Sequence, residues 1–465
     1  MKILIKGAGD LATGIASRLY GAGHRIMMTE IKVPLTVRRT VALSRAVYEQ
    51  RAKVEEMEAF RADTKEEAEK ILSRGDIPVL VDPTADCKRW FQPDVIVDSI
   101  LAKKNLGTAI TDAPFVVGVG PGFTAGEDCN CVIETKRGHT LGNVIWKGSA
   151  IPNTGVPGNI GGYTIERLIR STGEGVIEPK VAIGDLVEKG QLVALTGGIP
   201  VYAQMSGIVR GMLQPGVFVK KGLKCGDIDA RAESSHCETI SDKAKAIGGG
   251  VLEAVQRFER MKGHYAIVLL AAGEGKRFRG KKLQEHFHGK PLYMHMLEKA
   301  RSFSSFPICV VTGDEAIMQS AKNFGMAVSI NENPEKGISY SLQLGLEKVM
   351  ELMKDQGGFP NQSLKGVLFS VCDQPQISNV TLQKIFNDAV LHPGSIVCAG
   401  HNGKRGNPVL WDQIYLEELR HLTGDVGGKQ ILQQYEPCIR VVEAEEKELI
   451  DIDSREDLES LRKEG

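Results

Sequence analysis

The chain has 465 residues, too many for one hydrophobic core, because cores stop growing at roughly 250–300 residues; about two to four domains are expected. Lysine plus arginine and aspartate plus glutamate stand equal at 58 each, so net charge gives no attraction to nucleic acid or to an anionic membrane surface. No apolar run reaches the ~18 residues of a membrane helix. The nine cysteines include no C-x-x-C pair, which points to a reducing cytoplasm rather than a disulfide framework.

The first predicted strand, Lys2–Lys6, carries charges and reads as a strand start rather than a signal peptide. Gly7-Ala-Gly-Asp-Leu-Ala12 follows and opens a helical run, Ile15–Leu19; His24–Thr29 then reads as a second strand ending at Glu30. Strand, G-x-G-x-x-A turn, helix and an acidic residue about twenty positions on make a dinucleotide fingerprint. Gly7, Gly9 and Ala12 would let a pyrophosphate approach the helix N-terminus, and Glu30 would hold ribose hydroxyls. The same loop also serves simply to pack a helix on a strand, and both uses stay open. Pro78–Asp82 and Val95–Asp98 continue a parallel sheet, each ending in Asp.

Lys103, Lys104 and Asn105 lead into a glycine-rich region, with turn-dense loops at Val117–Phe123 and Asn153–Gly158. Arg137 and His139 between them have the chemistry to bind a phosphate or orient a substrate, although single residues of this kind are more often structural. Cys129 and Cys131 alternate along one strand, which favours packing over metal or selenium handling. Several runs carry a family likeness: Gly7–Asp10, Val97–Asn105, Gly120–Phe123, Glu134–His139 and Asn153–Pro157. Over about residues 1–260 the chain resembles the YqeB family, accessory proteins of selenium-dependent molybdenum hydroxylases. The resemblance implies a role in maturing such an apoenzyme and no catalytic residue. The ligand of this half is expected to be a dinucleotide or molybdopterin.

Gly184–Gly190, Pro200–Ala203, Ser206–Val209 and Gly216–Gly222 form short β-runs with an approximate G-x-x-V-x-x-G repeat. They predict a small β-barrel over residues 175–230 that resembles the biotinyl/lipoyl hammerhead fold. A carrier domain needs a lysine at its hairpin tip, where Gly197-Gly-Ile-Pro200 stands here, so a structural or docking role is expected. Residues 1–174 would form the Rossmann-like accessory domain. Residues 231–262, broken by Gly248-Gly-Gly250, read as a charged, partly helical linker.

The apolar run Ala266–Ala272 reads as a buried strand. It ends in Ala271-Ala-Gly-Glu-Gly275, and Lys276, Arg277, Lys281 and Lys282 follow. Small residues bring backbone N–H groups close to an anion and the cations neutralise it, the ingredients of a triphosphate site. No G-x-x-x-x-G-K-[ST] is present, so this is not a P-loop. A second apolar strand, Val367–Val371, runs into Cys372-Asp373-Gln-Pro375, placing a hard carboxylate where ligands bind in open α/β sheets. Such a carboxylate suits Mg²⁺. Gly406-Asn-Pro408, Gly424-Asp425 and Ile450-Asp-Ile-Asp453 add turns and a second acidic strand end.

Together with Val311-Thr-Gly313, Asn333-Pro334, Gly337, Ser339 and Ser341, this order resembles the MocA-type molybdenum cofactor cytidylyltransferases over residues 263–465. The resemblance implies a Rossmann-like, glycosyltransferase-A-like domain. It would transfer CMP from CTP to the phosphate of molybdopterin cofactor and release pyrophosphate. By the same resemblance, Leu270, Ala271, Ala272, Gly273, Gly275 and Ser341 contact nucleotide. Arg277 and Lys282 neutralise phosphates, and Asp373 and Asp453 hold Mg²⁺. The family carries Ser, Met and Gly where Gly275, Phe278 and Arg279 stand here. Ala272 replaces a glycine of the guanylyl-transferring relatives, which favours CTP. Two other readings compete: a sugar-phosphate nucleotidyltransferase, and a cofactor-binding chaperone with a degenerate transferase.

Overall fold

Strands Lys2–Lys6 and Val95–Asp98 bury nearly every residue, as strands do when helices cover both faces of a parallel sheet. They lie at the centre of a nine-stranded sheet, whose order is Arg51–Val54, Met57–Ala62, Ile77–Val81, Arg25–Glu30, Lys2–Lys6, Val95–Asp98, Phe115–Val119, Cys131–Ile133 and Val144–Ile145. All neighbours are parallel except the outermost pair at each edge. This is the Rossmann-like α/β arrangement expected of the N-terminal half. The computed structural model describes the chain except for residues 154–161, 263, 274–277, 279, 356–363, 425–426 and 465. It divides into two compact units, Met1–Val255 and Gln256–Gly465.

The glycine-broken β-runs form two four-stranded antiparallel sheets around a core that includes Ile177, Val193, Val209, Leu213 and Ile228. Strand Leu168–Arg170 pairs with Lys224–Asp229, so this module begins before residue 175. One side of it is polar and buried. Asp227 and Asp229 are fully buried, and they take Arg167 at 2.8 Å, Arg210 at 2.9 Å and 3.3 Å, and Arg231 at 2.6 Å. Burial alone would raise the Asp229 carboxyl, but the bonds from Arg231 and the charge of Arg210 hold it down at about 2.

The segment 231–262, expected to be a partly helical linker broken at its glycines, carries a helix that runs through them. Residues Asp242–Met261 form one 20-residue helix. Ala244, Ile247, Val251, Ala254 and Val255 recur at helical spacing and are buried. Its glycines are packing devices: a Cβ on Gly248 would lie 2.5 Å from the Gly14 carbonyl oxygen, and one on Gly250 would lie 2.0 Å from that of Gly142. Gly14, in helix Asp10–Gly21, answers them, for its Cβ would meet that of Ala244 at 2.5 Å. Propensity at these positions gives way to close backbone approach.

The C-terminal unit is a seven-stranded sheet in the order Ala327–Ile330, Ile308–Thr312, Tyr265–Leu270, Gly366–Val371, Lys404–Asp412, Ile396–His401 and Ile439–Glu443. Strand Lys404–Asp412 alone runs antiparallel to its neighbours. Among the described residues no helix is long and apolar enough to cross a membrane.

Two outcomes test this packing. Gly14→Val should cost about 1–3 kcal/mol through overpacking against Ala244, whereas Gly249→Ala, whose added Cβ meets nothing within 4 Å, should be neutral or stabilising; thermal melts compare them. The depressed Asp229 carboxyl contributes stability above its unfolded pKa of about 4, and that contribution is lost as pH falls toward 2. The gap in Tm between the parent and Asp229→Asn should therefore be large at pH 7 and narrow between pH 4 and 2.

Candidate active site

Strand Tyr265–Leu270 runs parallel to Ile308–Thr312 on one side and Gly366–Val371 on the other, and register places Leu270 level with Val311 and Val371. Three loops therefore leave the sheet side by side at its carboxyl edge: 271–273, 313–314 and 372–373. Open α/β sheets bind ligands at such an edge, where diverging loops leave a crevice. Ala271 N–H donates to the Val311 carbonyl at 2.9 Å, Cys372 N–H to that of Leu270 at 3.1 Å, and the Thr312 hydroxyl to that of Ala271 at 3.1 Å. Leu270 and Ala272 are half-buried, Ala271 is buried and Gly273 is exposed. A Cβ on Gly273 would meet no atom of the described residues within 4 Å.

Lys282 crosses this edge. Its Nζ lies 2.7 Å from Asp373 Oδ2 and 3.3 Å from Asp453 Oδ1, with 12% of its side chain exposed. Burial would lower its pKa, but the charges and hydrogen bonds of the two aspartates raise it, and Lys282 stays protonated. Asp451 experiences the same cluster with the opposite sign. Burial, then the charges of Asp373 and Asp453, push its carboxyl up to about 6. Asp373 Oδ1 is buried with no hydrogen-bond partner among the described residues. Buried polar atoms are nearly always partnered, and an orphaned carboxylate oxygen beside a second aspartate fits a hard divalent cation. Among the described residues no group of three or more His, Cys, Asp or Glu is gathered for a metal. Mg²⁺ would thus take Asp373 and Asp453 from the protein and its remaining oxygens from phosphate and water, its usual habit.

Asp314, which local sequence did not single out, anchors the basic segment. Its Oδ1 caps helix Glu315–Asn323 by accepting the Ala316 and Ile317 N–H groups. Its Oδ2 takes Lys281 at 3.1 Å and Gln284 at 2.7 Å. The available signal was an Asp immediately after Val311-Thr-Gly313 and before a helix. Ser341, expected at the nucleotide, is buried and accepts a hydrogen bond from the Asn331 amide at 2.9 Å. Gly275, Arg277, Lys276 and Arg279 lie outside the described residues, as does Asp425.

In the N-terminal unit Gly7 and Gly9 form the turn into the helix that carries Ala12, and Glu30, at the end of strand Arg25–Glu30, lies against that turn. Gly7 has φ +94°, and a Cβ there would stand 3.0 Å from the Ser99 carbonyl oxygen. Glu30 accepts the N–H groups of Ala8 at 3.0 Å and Ile31 at 2.9 Å. Burial raises its carboxyl while those two bonds oppose the rise. Segment 36–44 lies over the turn: Ser44 N–H donates to the Ala8 carbonyl at 2.8 Å, Leu43 N–H to the Thr13 hydroxyl at 3.0 Å, and Gly9 faces the Thr36 hydroxyl. Arg137 is held in a fork by Asp242 at 2.7 and 2.8 Å, and His139 is exposed. Cys129 and Cys131 are buried, and burial pushes the Cys129 thiol up to about 12.

Comparison with known proteins agrees with this division. Residues 267–438 match the MobA-like NTP transferase domain. Over 253 residues the chain is 49% identical to YqeB of Escherichia coli (strain K12), a match covering 54% of this chain and 47% of that protein. The chain joins a YqeB-like half to a MobA-like NTP transferase domain. It therefore spans about half the length of the curated relative it matches, 47%. Among solved structures, Rv0371c from Mycobacterium tuberculosis H37Rv is 20% identical, with 43% of this chain and 98% of that one covered and a TM-score of 0.35. Molybdopterin-guanine dinucleotide biosynthesis protein A from Archaeoglobus fulgidus is 15% identical, covering 43% and 97% with a TM-score of 0.32. CMP:2-keto-3-deoxy-manno-octonic acid synthetase complexed with CTP is also 15% identical, covering 43% and 97% at 0.33.

The aspartates of the MobA-like unit allow a test that needs no turnover. Mn²⁺ titrated into the full chain and followed by electron paramagnetic resonance should bind the parent, and Asp373→Asn should weaken that binding at least roughly tenfold by removing a charged ligand. Lys282→Ala should bind Mn²⁺ no more weakly than the parent, because a competing cation has left the carboxylate. Equal binding by Asp373→Asn and parent would remove Asp373 from the metal site.

Proposed function

We propose that the C-terminal nucleotidyltransferase domain transfers CMP from CTP to the phosphate of molybdopterin cofactor, and that the N-terminal half assists maturation of a selenium-dependent molybdenum hydroxylase. The observation that carries the proposal is the Asp373–Lys282–Asp453 cluster at the carboxyl edge of a MobA-like sheet, with one Asp373 oxygen unpartnered among the described residues. In the transfer, an oxygen of the cofactor phosphate attacks the α-phosphorus of CTP. The bond from that phosphorus to the bridging oxygen of the β-phosphate breaks, and pyrophosphate departs. The substrate supplies its own nucleophile. Cys372, beside Asp373, is wholly buried and its thiol is pushed well above the usual range, so it is not poised to attack.

The protein's part is alignment and charge. Lys282 is protonated and within reach of both aspartates, so a triphosphate entering the crevice exchanges one set of anionic oxygens for another around the same ammonium. Gly273 offers backbone N–H without a side chain in the way. Arg277, outside the described residues, is assigned to the β- and γ-phosphates. Mg²⁺ held by Asp373 and Asp453 would neutralise charge on the triphosphate. The Ala272 methyl narrows the base pocket relative to glycine and favours cytosine. The nine cysteines, all free among the described residues, suit a reducing cytoplasm.

Pyrophosphate release should be fastest with CTP plus molybdopterin cofactor in a panel of CTP, GTP and ATP against that cofactor and several sugar phosphates. Turnover with a sugar phosphate instead would reassign the substrate, and no turnover with any pair would favour a degenerate transferase acting as a cofactor chaperone. Asp373→Ala should slow transfer by about 10³-fold or more while retaining part of the CTP affinity, since charge neutralisation matters most in the transition state. Turnover within tenfold of the parent would contradict that role.

A further inference from the structure

The N-terminal unit holds a cavity of about 430 Å³ that the glycine-loop fingerprint did not disclose. Its walls come from distant parts of the chain. Arg38 enters from the segment after the second strand, Arg137 from beyond Cys131–Ile133, Arg167 and Arg210 from the β-module, and Lys243 from helix Asp242–Met261. Asp10 and Leu11, the first residues of helix Asp10–Gly21, line it too. Lys103 and Lys136 add to the rim, so seven cationic side chains face one lining carboxylate, Asp10.

The charges are not simply cancelled by neighbours. Asp227 and Asp229 hold Arg167 and Arg210, and Asp242 holds Arg137. Arg38 is 7% exposed; it donates to the carbonyls of His236 and Thr239 and stands 3.7 Å from Asp10. Its Nε is nevertheless buried with no hydrogen-bond partner. Lys243 is half-buried and has no ion-pair partner among the described residues. Burial, followed by the charge of Arg137, lowers its pKa, while Asp10, Glu134 and Asp242 act in the opposite direction. Burying cations together costs free energy that an anionic ligand relieves. Carboxylates behind the arginines fix the guanidinium planes, as a site for tetrahedral oxyanions requires. Helix Asp10–Gly21 has no side-chain cap at Gly9, and Asp10 and Leu11 of its first turn line the same cavity.

We infer that this cavity binds a small molecule carrying phosphate, held between the Rossmann-like sheet and the β-module. The module then has a chemical task in place of a swinging arm: it delivers Arg167 and Arg210, backed by Asp227 and Asp229, to the ligand. The volume fits a phosphorylated metabolite rather than a bare ion, since ligand pockets commonly run about 300–1,000 Å³. Nothing in this inference depends on the transferase chemistry of the C-terminal unit.

Pyrophosphate is a suitable probe, titrated calorimetrically into the full-length chain at low and physiological salt. Because the transferase domain should also take pyrophosphate, hydrogen-exchange mass spectrometry locates the binding. Protection is expected in residues 10–13, 36–41 and 207–212, and Lys243→Ala should weaken that phase roughly tenfold by removing one charge-assisted contact. Arg38→Gln should abolish it, but Arg38 also ties two carbonyls together, so Lys243→Ala, at a side chain with no ion-pair partner, guards against misreading an unfolded protein. Lys243→Arg should restore binding. Protection confined to the C-terminal unit, or identical protection of residues 10–13 in the parent and Lys243→Ala, would overturn the inference and leave the arginines as internal struts of the β-module.

Discussion

The Lys282 ammonium between Asp373 and Asp453 is the contact on which the candidate active site depends. It joins residues 91 and 171 positions apart. Its charge offsets those of Asp373 and Asp453, and the Asp451 carboxyl beside them is raised first by burial and then by the charges of the other two aspartates. One cation makes it possible to gather carboxylates at the end of a buried strand. The gathered carboxylates then form a place for metal and triphosphate. Lys281 and Gln284, tied to Asp314, hold the segment that carries Lys282 against the sheet.

The N-terminal unit solves a related problem with the opposite sign. There the carboxylates are the buried support, and the arginines they orient face a cavity. Asp227 and Asp229 lie on one strand of the β-module, two residues apart, so both side chains project from the same face of the sheet. Arg210, on the neighbouring strand, reaches both. Close packing of helix Asp242–Met261 on helix Asp10–Gly21 brings Lys243 and the first turn of the earlier helix to the same cavity. Gly14 and Gly248 permit that approach, because a side chain at either would separate the helices.

Much of this was legible along the chain. Continuous apolar runs ending in Gly or Asp marked the parallel strands of both sheets, since a strand covered on both faces has no room for polar alternation. The order of the glycine loop, Asp373-Gln-Pro375 and Asp453 carried the likeness to cytidylyltransferases, and the fold places Lys282 and both aspartates within hydrogen-bonding distance. Composition misled at Gly248-Gly-Gly250. Three glycines read as a break, whereas tertiary packing sets Gly248 in a helix seam against Gly14 and Gly250 against the turn at Gly142. Glu30 was rightly placed beside the glycine turn, but its carboxylate accepts backbone N–H groups of the protein itself.

By itself the sequence determined the strand–loop–helix units, the α/β class and the residue types available for phosphate chemistry, because these follow from local periodicity and short spacings. Only the tertiary structure decided which charges meet. Lys282 lies nine residues beyond Gly273 and 91 from Asp373, and no local pattern marks it as their bridge over Lys281 beside it. Arg38, Arg167, Arg210 and Lys243 belong to no motif at all. They converge because two sheets and a glycine-seamed helix pair close around them, and burial makes each charge answerable to neighbours that the linear chain keeps far apart.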